Sequence, residues 1–223
     1  MTENDVFLTR HGSRIDKEDR GWMAKAGHSR SDDPHLSTDG EEQAAQLATK
    51  LANLHEQENL SHIVCSPFIR CVQTALPLSE ALQLPIKIEP GICEILTTFP
   101  PGFLDVSAIK EFYPNRIDPS YEPVVKRGGL SREYSDSQAA GWAANAASEV
   151  RKRLEGRILF VGHGASCLGI AEAFGASDYV GYASLSRFSA GGAKTGPWRL
   201  VGTLGDVSHL APKHQQTARS SAF

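Results

Sequence analysis

Val6-Phe7-Leu8-Thr9-Arg10-His11-Gly12 begins as a short apolar, β-prone run and ends in a guanidinium, an imidazole and a glycine. It reads as a strand from Val6 to Thr9 that hands Arg10 and His11 to the long polar stretch Ser13 to Pro34. The pattern recurs far along the chain. Arg157 to Val161 reads as a buried strand, and Gly162-His163-Gly164 leads into a helix over Ala165 to Phe174. Two histidines thus follow two strand ends. In an open α/β sheet, ligands bind beyond the carboxyl ends of the strands, so neighbouring central strands would bring both imidazoles to one crevice.

The segments between them fill in the sheet. Thr38, followed three residues later by Glu41, signals a capped helix start, and Ala44, Leu47, Ala48, Leu51 and Leu54 recur at helical spacing on one face. His62 to Cys65 reads as a strand stopped by Ser66-Pro67. Phe68 to Leu82 reads as a helix bent near Pro77, Ile86 to Ile88 as a third strand, and Ala139 to Leu154 as an alanine-rich helix. Trp198 to Leu204 reads as a late edge strand. Strands alternating with helices predict an α/β fold, a three-layer α/β/α sandwich with a mostly parallel central sheet. Residues 1–207 are expected to form one domain. Within it, residues 95–137, rich in Pro, Gly, Tyr and Phe, are too long for an ordinary connection and are expected to be an insertion over the active site. Residues 208–223 are expected to be a loosely ordered tail.

Composition narrows the function. The 223 residues are 40% hydrophobic and 22% charged, with a formal net charge of -3 and no apolar run long enough to span a membrane. No nucleic-acid or membrane partner is expected from such a balance. The acidic start MTENDVFLTRHG lacks the basic and apolar parts of a secretory signal, so a cytoplasmic or nuclear location is expected. Cys65, Cys71, Cys93 and Cys167 have neither zinc spacing nor the density of a disulfide scaffold, and read as buried free thiols. Cys93 is kept in view because it precedes Glu94. His28, His35, His55, His62, His209 and His214 share no ligand spacing, so no metal or cofactor is expected. Gly191 to Thr195 resembles the end of a nucleotide-binding loop, but Ala193 stands where the second glycine is required and a turn is expected instead.

The chemistry is carried by cations around His11. Arg10 and Arg14 flank it, and Arg70 opens the helix after Ser66-Pro67, where free backbone amides also attract anions. Guanidiniums and imidazoles gather most readily around an anion, and arginine's paired donors match phosphoryl oxygens. Neutral imidazole is also a competent nucleophile, and adjacent arginines lower its pKa.

Four motifs together resemble one family. Arg10-His11-Gly12, Leu36-Ser37-Thr38-Asp39-Gly40, the run Ser66 to Ala75 and Gly162-His163-Gly164 are similar in order and spacing to the histidine phosphatase superfamily, the phosphoglycerate mutase-like fold. Arg14, Ser66 to Ala75, Ile88 to Glu94, and Ile117 to Tyr121 with Pro123 look closest to the phosphatase domain of the suppressors of T-cell receptor signalling. A weaker likeness runs to a phosphatase-like domain of a fungal transcription factor subunit. The resemblance implies that His11 is the phosphorylated nucleophile and that Arg10, Arg14, Arg70 and His163 hold the phosphate. Ser13 stands where the signalling phosphatases carry glutamate. No ubiquitin-binding or SH3 module accompanies the motifs, so partner recognition is not expected to carry over.

On this reading, His11 attacks in line with its other ring nitrogen fixed by a backbone carbonyl, and His163 donates to the transferring oxygens. Glu94 serves as general acid and then as base toward water. Trp22, Phe99, Phe103, Phe112 and Tyr113 either line a pocket for an aromatic leaving group or pack the loops. The expected activity is hydrolysis of phosphate monoesters, with phosphotyrosine or aryl phosphates as candidate substrates and a phosphorylated small molecule or phosphoprotein as partner. A homodimer is left open. The competing readings are a phosphoglycerate mutase or sugar bisphosphatase, and a non-catalytic scaffold that binds phosphopeptides.

Overall fold

The computed structural model describes residues 4–25, 32–191 and 193–221. In chain order these form β1 (Val6–Arg10), α1 (Ile15–Glu18), α2 (Trp22–Lys25), α3 (Thr38–Glu58), β2 (Leu60–Cys65), α4 (Ile69–Leu82), β3 (Ile86–Ile88), α5 (Val106–Phe112), α6 (Asp136–Arg153), β4 (Arg157–Gly162), α7 (Gly164–Ala173), β5 (Ser186–Ser189), β6 (Arg199–Leu200) and α8 (Pro212–Ser220). The six strands lie in the order β3-β2-β4-β1-β5-β6. The first three pairings are parallel and the last two antiparallel.

Alternation along the two central strands separates the core into two layers, because successive side chains of a strand point to opposite faces. Phe7, Leu159 and Val161 face α3 and α4, meeting Leu47, Leu51, Ala75 and Leu78. Val6, Leu8, Ile158 and Phe160 face α6 and α7, meeting Ala147, Val150, Ile170 and Phe174. Both layers are buried and apolar, so the sheet is covered on each face as the strand-helix alternation requires.

Several expectations need correction. Ser37, not Thr38, caps α3: its hydroxyl accepts from the Gly40 amide, leaving Thr38 as the first helical residue. The reason lies in a close approach. A Cβ on Gly12 would stand 2.5 Å from the Gly40 carbonyl oxygen, and a Cβ on Gly40 would run into the Ser13 backbone. The loop after β1 is thereby pressed onto the first turn of α3, where only glycine fits.

Residues 212–220, read as part of a loose tail, form α8, with Ala218 and His214 fully buried. His214 Nε2 lies 3.0 Å from Glu42 of α3, and the Ser221 hydroxyl accepts from the Tyr182 amide. β5 was not read from the sequence. Its Phe188 enters the core while Arg187 reaches sideways to Asp5 and Glu58, an ion-paired edge whose charges mask the apolar signal.

The segment after Glu94 is tied down in several places. Ile109 and Ile117 enter the core, Phe103 packs on Phe68, and Glu133 accepts from the Leu96 amide. Further along, Asp118 grips Lys87 at 2.6 Å and accepts from Ser120, which holds its carboxyl down at about 2. His28 lies outside the described residues, as does Gly192 of the Gly191–Thr195 stretch. Among the described residues, no helix is long and apolar enough to cross a membrane.

Candidate active site

Strand register sets the centre. Arg10 at the end of β1 pairs with Gly162 at the end of β4, and the His11 amide donates to the Gly162 carbonyl at 3.0 Å. The two residues that follow, His11 and His163, therefore emerge side by side with ring centroids 5.2 Å apart, edge to face. Both imidazoles are fully buried.

His11 Nδ1 lies 2.7 Å from the Gly12 carbonyl oxygen. A carbonyl can only accept, so Nδ1 carries the proton and Nε2 keeps its lone pair. That Nε2 has no hydrogen-bond partner among the described residues. Burial drives the His11 pKa well below the ordinary histidine value, and the charges of Arg70 and Arg10 push it the same way. His163 is lowered as well, by burial first and then by Arg70 and His11. Two neutral imidazoles result.

Arg70 occupies the first turn of α4 and is almost wholly buried, its guanidinium 4.6 Å from the centre of the Phe68 ring. Its Nη2 lies 3.5 Å from Glu94 and its Nη1 3.6 Å from Asp33, both beyond ordinary hydrogen-bond reach, and Nε and Nη1 have no hydrogen-bond partner among the described residues. Arg10 is held differently. Its Nη1 donates to the carbonyls of Ser221 at 2.6 Å and Val180 at 3.2 Å, and its guanidinium lies 4.4 Å from the centre of the Tyr182 ring. Buried donors left over on two arginines beside a bare imidazole nitrogen favour an anion at this place.

Arg14 stands close enough for its charge to lower the pKa of both His11 and His163. It reaches the cleft wall, but its Nε and Nη2 already grip Asp16 at 2.9 and 2.7 Å, so Nη1 is the edge left for a ligand. Glu94 stands at the centre, 3.6 Å from His163 Nδ1, with a side chain that is partly open to solvent. Ligand-type atoms of His11, Glu94 and His163 fall within 4.8 Å of one another, a spacing that suits a metal ion as well. The adjoining guanidiniums weigh against a cation there.

Two clefts meet at Glu94. One, about 420 Å³, is lined by Arg14, Asp32, Phe68, Arg70 and Ile95 to Thr98. The other, about 490 Å³, is lined by Arg10, Asp136, Tyr179 and Ser221 among others. Of the five aromatics considered for a pocket, none lines the first cleft: Phe103 and Trp22 are buried, while Phe99 and Phe112 face solvent. Phe68 is there instead.

The sequence offered no local signal for the residues that brace this centre. Thr74 accepts from the Gly12 amide, Gln43 accepts from the Ser13 amide, and Asp33 accepts from the Ile69 amide at the start of α4. Tyr182 lies 5.4 Å from His11, ring to ring. All four cysteines are free and buried; burial raises every thiol, Cys167 to about 12. Cys93 packs with Phe68, Leu96 and Phe103.

The neutral imidazoles have a measurable consequence. On acidification below about pH 6.5, an unfolded histidine takes up a proton that buried His11 refuses until much lower pH. The unfolded state then binds more protons, so stability falls with pH through that window. Replacing His11 by Gln is expected to flatten the fall by up to about 1.4 kcal/mol per pH unit. Urea unfolding of both proteins between about pH 6.5 and 5.5 measures it, and identical slopes would contradict a neutral His11.

Comparison with known proteins places the chain in a family. A family model described as the histidine phosphatase superfamily (branch 1) matches residues 6–186. The chain is 27% identical over 190 residues to an ecdysteroid-phosphate phosphatase of Drosophila melanogaster, covering 71% of this chain and 25% of that protein. It is 28% identical over 129 residues to the transcription factor tau 55 kDa subunit of Saccharomyces cerevisiae, covering 56% of this chain and 29% of that protein. The chain thus aligns with between a quarter and a third of the length of these relatives. Among solved structures, the ecdysone phosphate phosphatase of Bombyx mori in complex with tungstate superposes with a TM-score of 0.66 at 22% identity, covering 90% of this chain and 92% of that one. A mycobacterial glucosyl-3-phosphoglycerate phosphatase complexed with VO3 gives 0.60 at 20% identity, covering 91% and 100%. At these identities, the structural likenesses speak for the fold alone.

Proposed function

Because this chain belongs to the histidine phosphatase superfamily, we propose that it hydrolyses phosphate monoesters through a phosphohistidine on His11. The observation that carries this reading is the buried, neutral His11, whose unpartnered Nε2 lies beside the spare donors of Arg10 and Arg70. Phosphoryl transfer asks little of the protein beyond alignment and charge stabilisation, which this arrangement supplies. Nε2 attacks phosphorus while the ester oxygen departs on the opposite side. Arg10, Arg70 and His163 stabilise the equatorial oxygens, and Arg14 reaches them from the cleft wall with the edge that Asp16 leaves over.

Glu94 delivers a proton to the departing oxygen as the bond to phosphorus breaks. It then takes a proton from the water that attacks the phosphohistidine, releasing inorganic phosphate and restoring His11. Glu94→Gln is expected to slow hydrolysis of an alkyl phosphate about a hundredfold or more, and that of p-nitrophenyl phosphate far less, since a good leaving group needs no proton. Equal losses on both substrates would remove Glu94 from this role.

The substrate suggested by the cleft has one phosphate and an uncharged or weakly polar leaving group. Beyond Arg70, the walls offer Phe68, Ile95 and Leu96 beside Thr97 and Thr98, and their carboxylates Asp32 and Glu94 would repel a second phosphate. That favours aryl phosphates, phosphotyrosine included, or esters of bulky apolar alcohols, over phosphoglycerate mutase or sugar bisphosphatase chemistry. The names of the ecdysteroid-phosphate phosphatases point the same way. Steady-state hydrolysis of an aryl monophosphate beside a sugar bisphosphate tests the preference. Acid-labile phosphate recovered on His11 after brief exposure to substrate tests the reaction, and separates it from mere phosphopeptide binding.

A further inference from the structure

We infer that Asp32 sets the charge preference for the substrate's leaving group, refusing an anionic group and favouring one that carries an ammonium; this deepens the phosphatase reading above and rests on it for the anion site. Asp32 stands where the two walls of the first cleft join. It comes from the loop after β1, lines the cleft beside Arg14, Phe68, Arg70 and Glu94, and its Oδ2 accepts from the Gly102 amide of the facing segment at 2.6 Å. A Cβ on Gly102 would run into that carboxylate, so only glycine allows the approach. The carboxylate is thereby fixed at the cleft wall, partly buried.

The cations nearby are committed elsewhere. Arg14 grips Asp16 at 2.7 Å, and Arg70 stands 3.6 Å from buried Asp33 and 3.5 Å from Glu94. When a phosphate monoester binds, its two charges are met by Arg10 and Arg70, and Glu94 carries the proton that it will deliver. Asp32 is then the carboxylate left facing the departing group. The rest of the wall cannot offset it: Phe68, Ile95 and Leu96 are apolar, and Thr97 and Thr98 bring hydroxyls without charge. Apolar walls also weaken screening by water, so a single fixed charge is felt across the cleft. There a like charge on the substrate is repelled and an opposite one attracted, each by about three- to tenfold in affinity.

Three benzylphosphonates that differ only at the para position, bearing a carboxylate, a methyl or an aminomethyl group, test this by calorimetry, because a phosphonate binds without being turned over. In the wild type the aminomethyl compound is expected to bind tightest and the carboxylate weakest, each step about three- to tenfold, with the spread shrinking as salt rises from about 0.05 to 0.5 M. An absent or reversed order would sink the proposal with no variant needed. Asp32→Asn keeps the shape and an oxygen for the Gly102 amide but not the charge. Every phosphonate gains somewhat from losing a nearby negative charge, so the variant is read by the spread between the three, which is expected to collapse to within about twofold. A merely structural Asp32 would shift all three alike and leave the spread intact, which would overturn the role. The matching phenyl phosphates, compared as variant over wild type in kcat/KM so that leaving-group reactivity cancels, are expected to follow the same order. Ordered phosphonate binding without hydrolysis of phenyl phosphate would count against the reaction alone; hydrolysis through phosphohistidine without any charge order would count against Asp32 alone.

Discussion

His11→Ala is expected to reduce phosphomonoester hydrolysis by at least about four orders of magnitude and to leave no acid-labile phosphate on the protein. The side chain removed carries the proposed nucleophile, an Nε2 without a hydrogen-bond partner among the described residues, whereas His163 Nε2 is engaged by Ser66. Arg10, Arg70 and His163 have other supports and would remain in place, so inorganic phosphate is expected to bind the variant within a few-fold of wild type. A rapid-quench assay together with phosphate binding separates lost chemistry from a lost site. Turnover that survived in His11→Ala would discard the covalent route.

Arg70→Ala is expected to lower kcat/KM about a thousandfold, because a guanidinium aimed at transition-state charge in a dry site is worth more than in water. This change also removes the guanidinium that faces Glu94 and buried Asp33, and breaking such a partly buried pair costs about 3–5 kcal/mol. Poor folding could then mimic lost catalysis, so Arg70→Lys is the sharper experiment. Lysine keeps the charge between the two carboxylates but not the planar fork that matches two phosphoryl oxygens. A fall of about a hundredfold in kcat/KM with a melting temperature close to wild type is the expected result. Full activity in Arg70→Lys would mean that charge alone matters there.

The fold was legible wherever burial on both faces left long apolar runs. Val6 to Thr9 and Arg157 to Val161 could be read as buried strands, but their adjacency and the register that joins the two histidines come from the parallel pairing of β1 with β4. Arg70 was legible through its place just after Ser66-Pro67, a strand end followed by a helix start. β5 was not, because Ser186, Arg187 and Ser189 surround a single apolar Phe188 and owe their strand to pairing with β1. α8 was missed for a related reason: Pro212 to Ser220 is polar nearly throughout and is held by two buried side chains and its contact with α3. Within the site, the identities of the charged groups could be read, but not their braces. Thr74, Gln43, Asp33 and Tyr182 matter only through tertiary neighbours, and the grip of Asp16 on Arg14 occupies two of the donor nitrogens that its type alone offered to a phosphate.

The clamp on Arg10 bears on how the protein comes to life during synthesis. Its guanidinium rests against the Ser221 carbonyl, 211 positions further along the chain. Arg10 is made 211 positions before Ser221, so during synthesis it waits for α8 to complete a clamp that Val180 and Tyr182 begin. Contacts of such sequence separation form late. The full clamp on Arg10 therefore forms only once β1 and α8 have come together, and a chain stalled before Ser221 would hold His11, Arg70, Glu94 and His163 with Arg10 incompletely anchored.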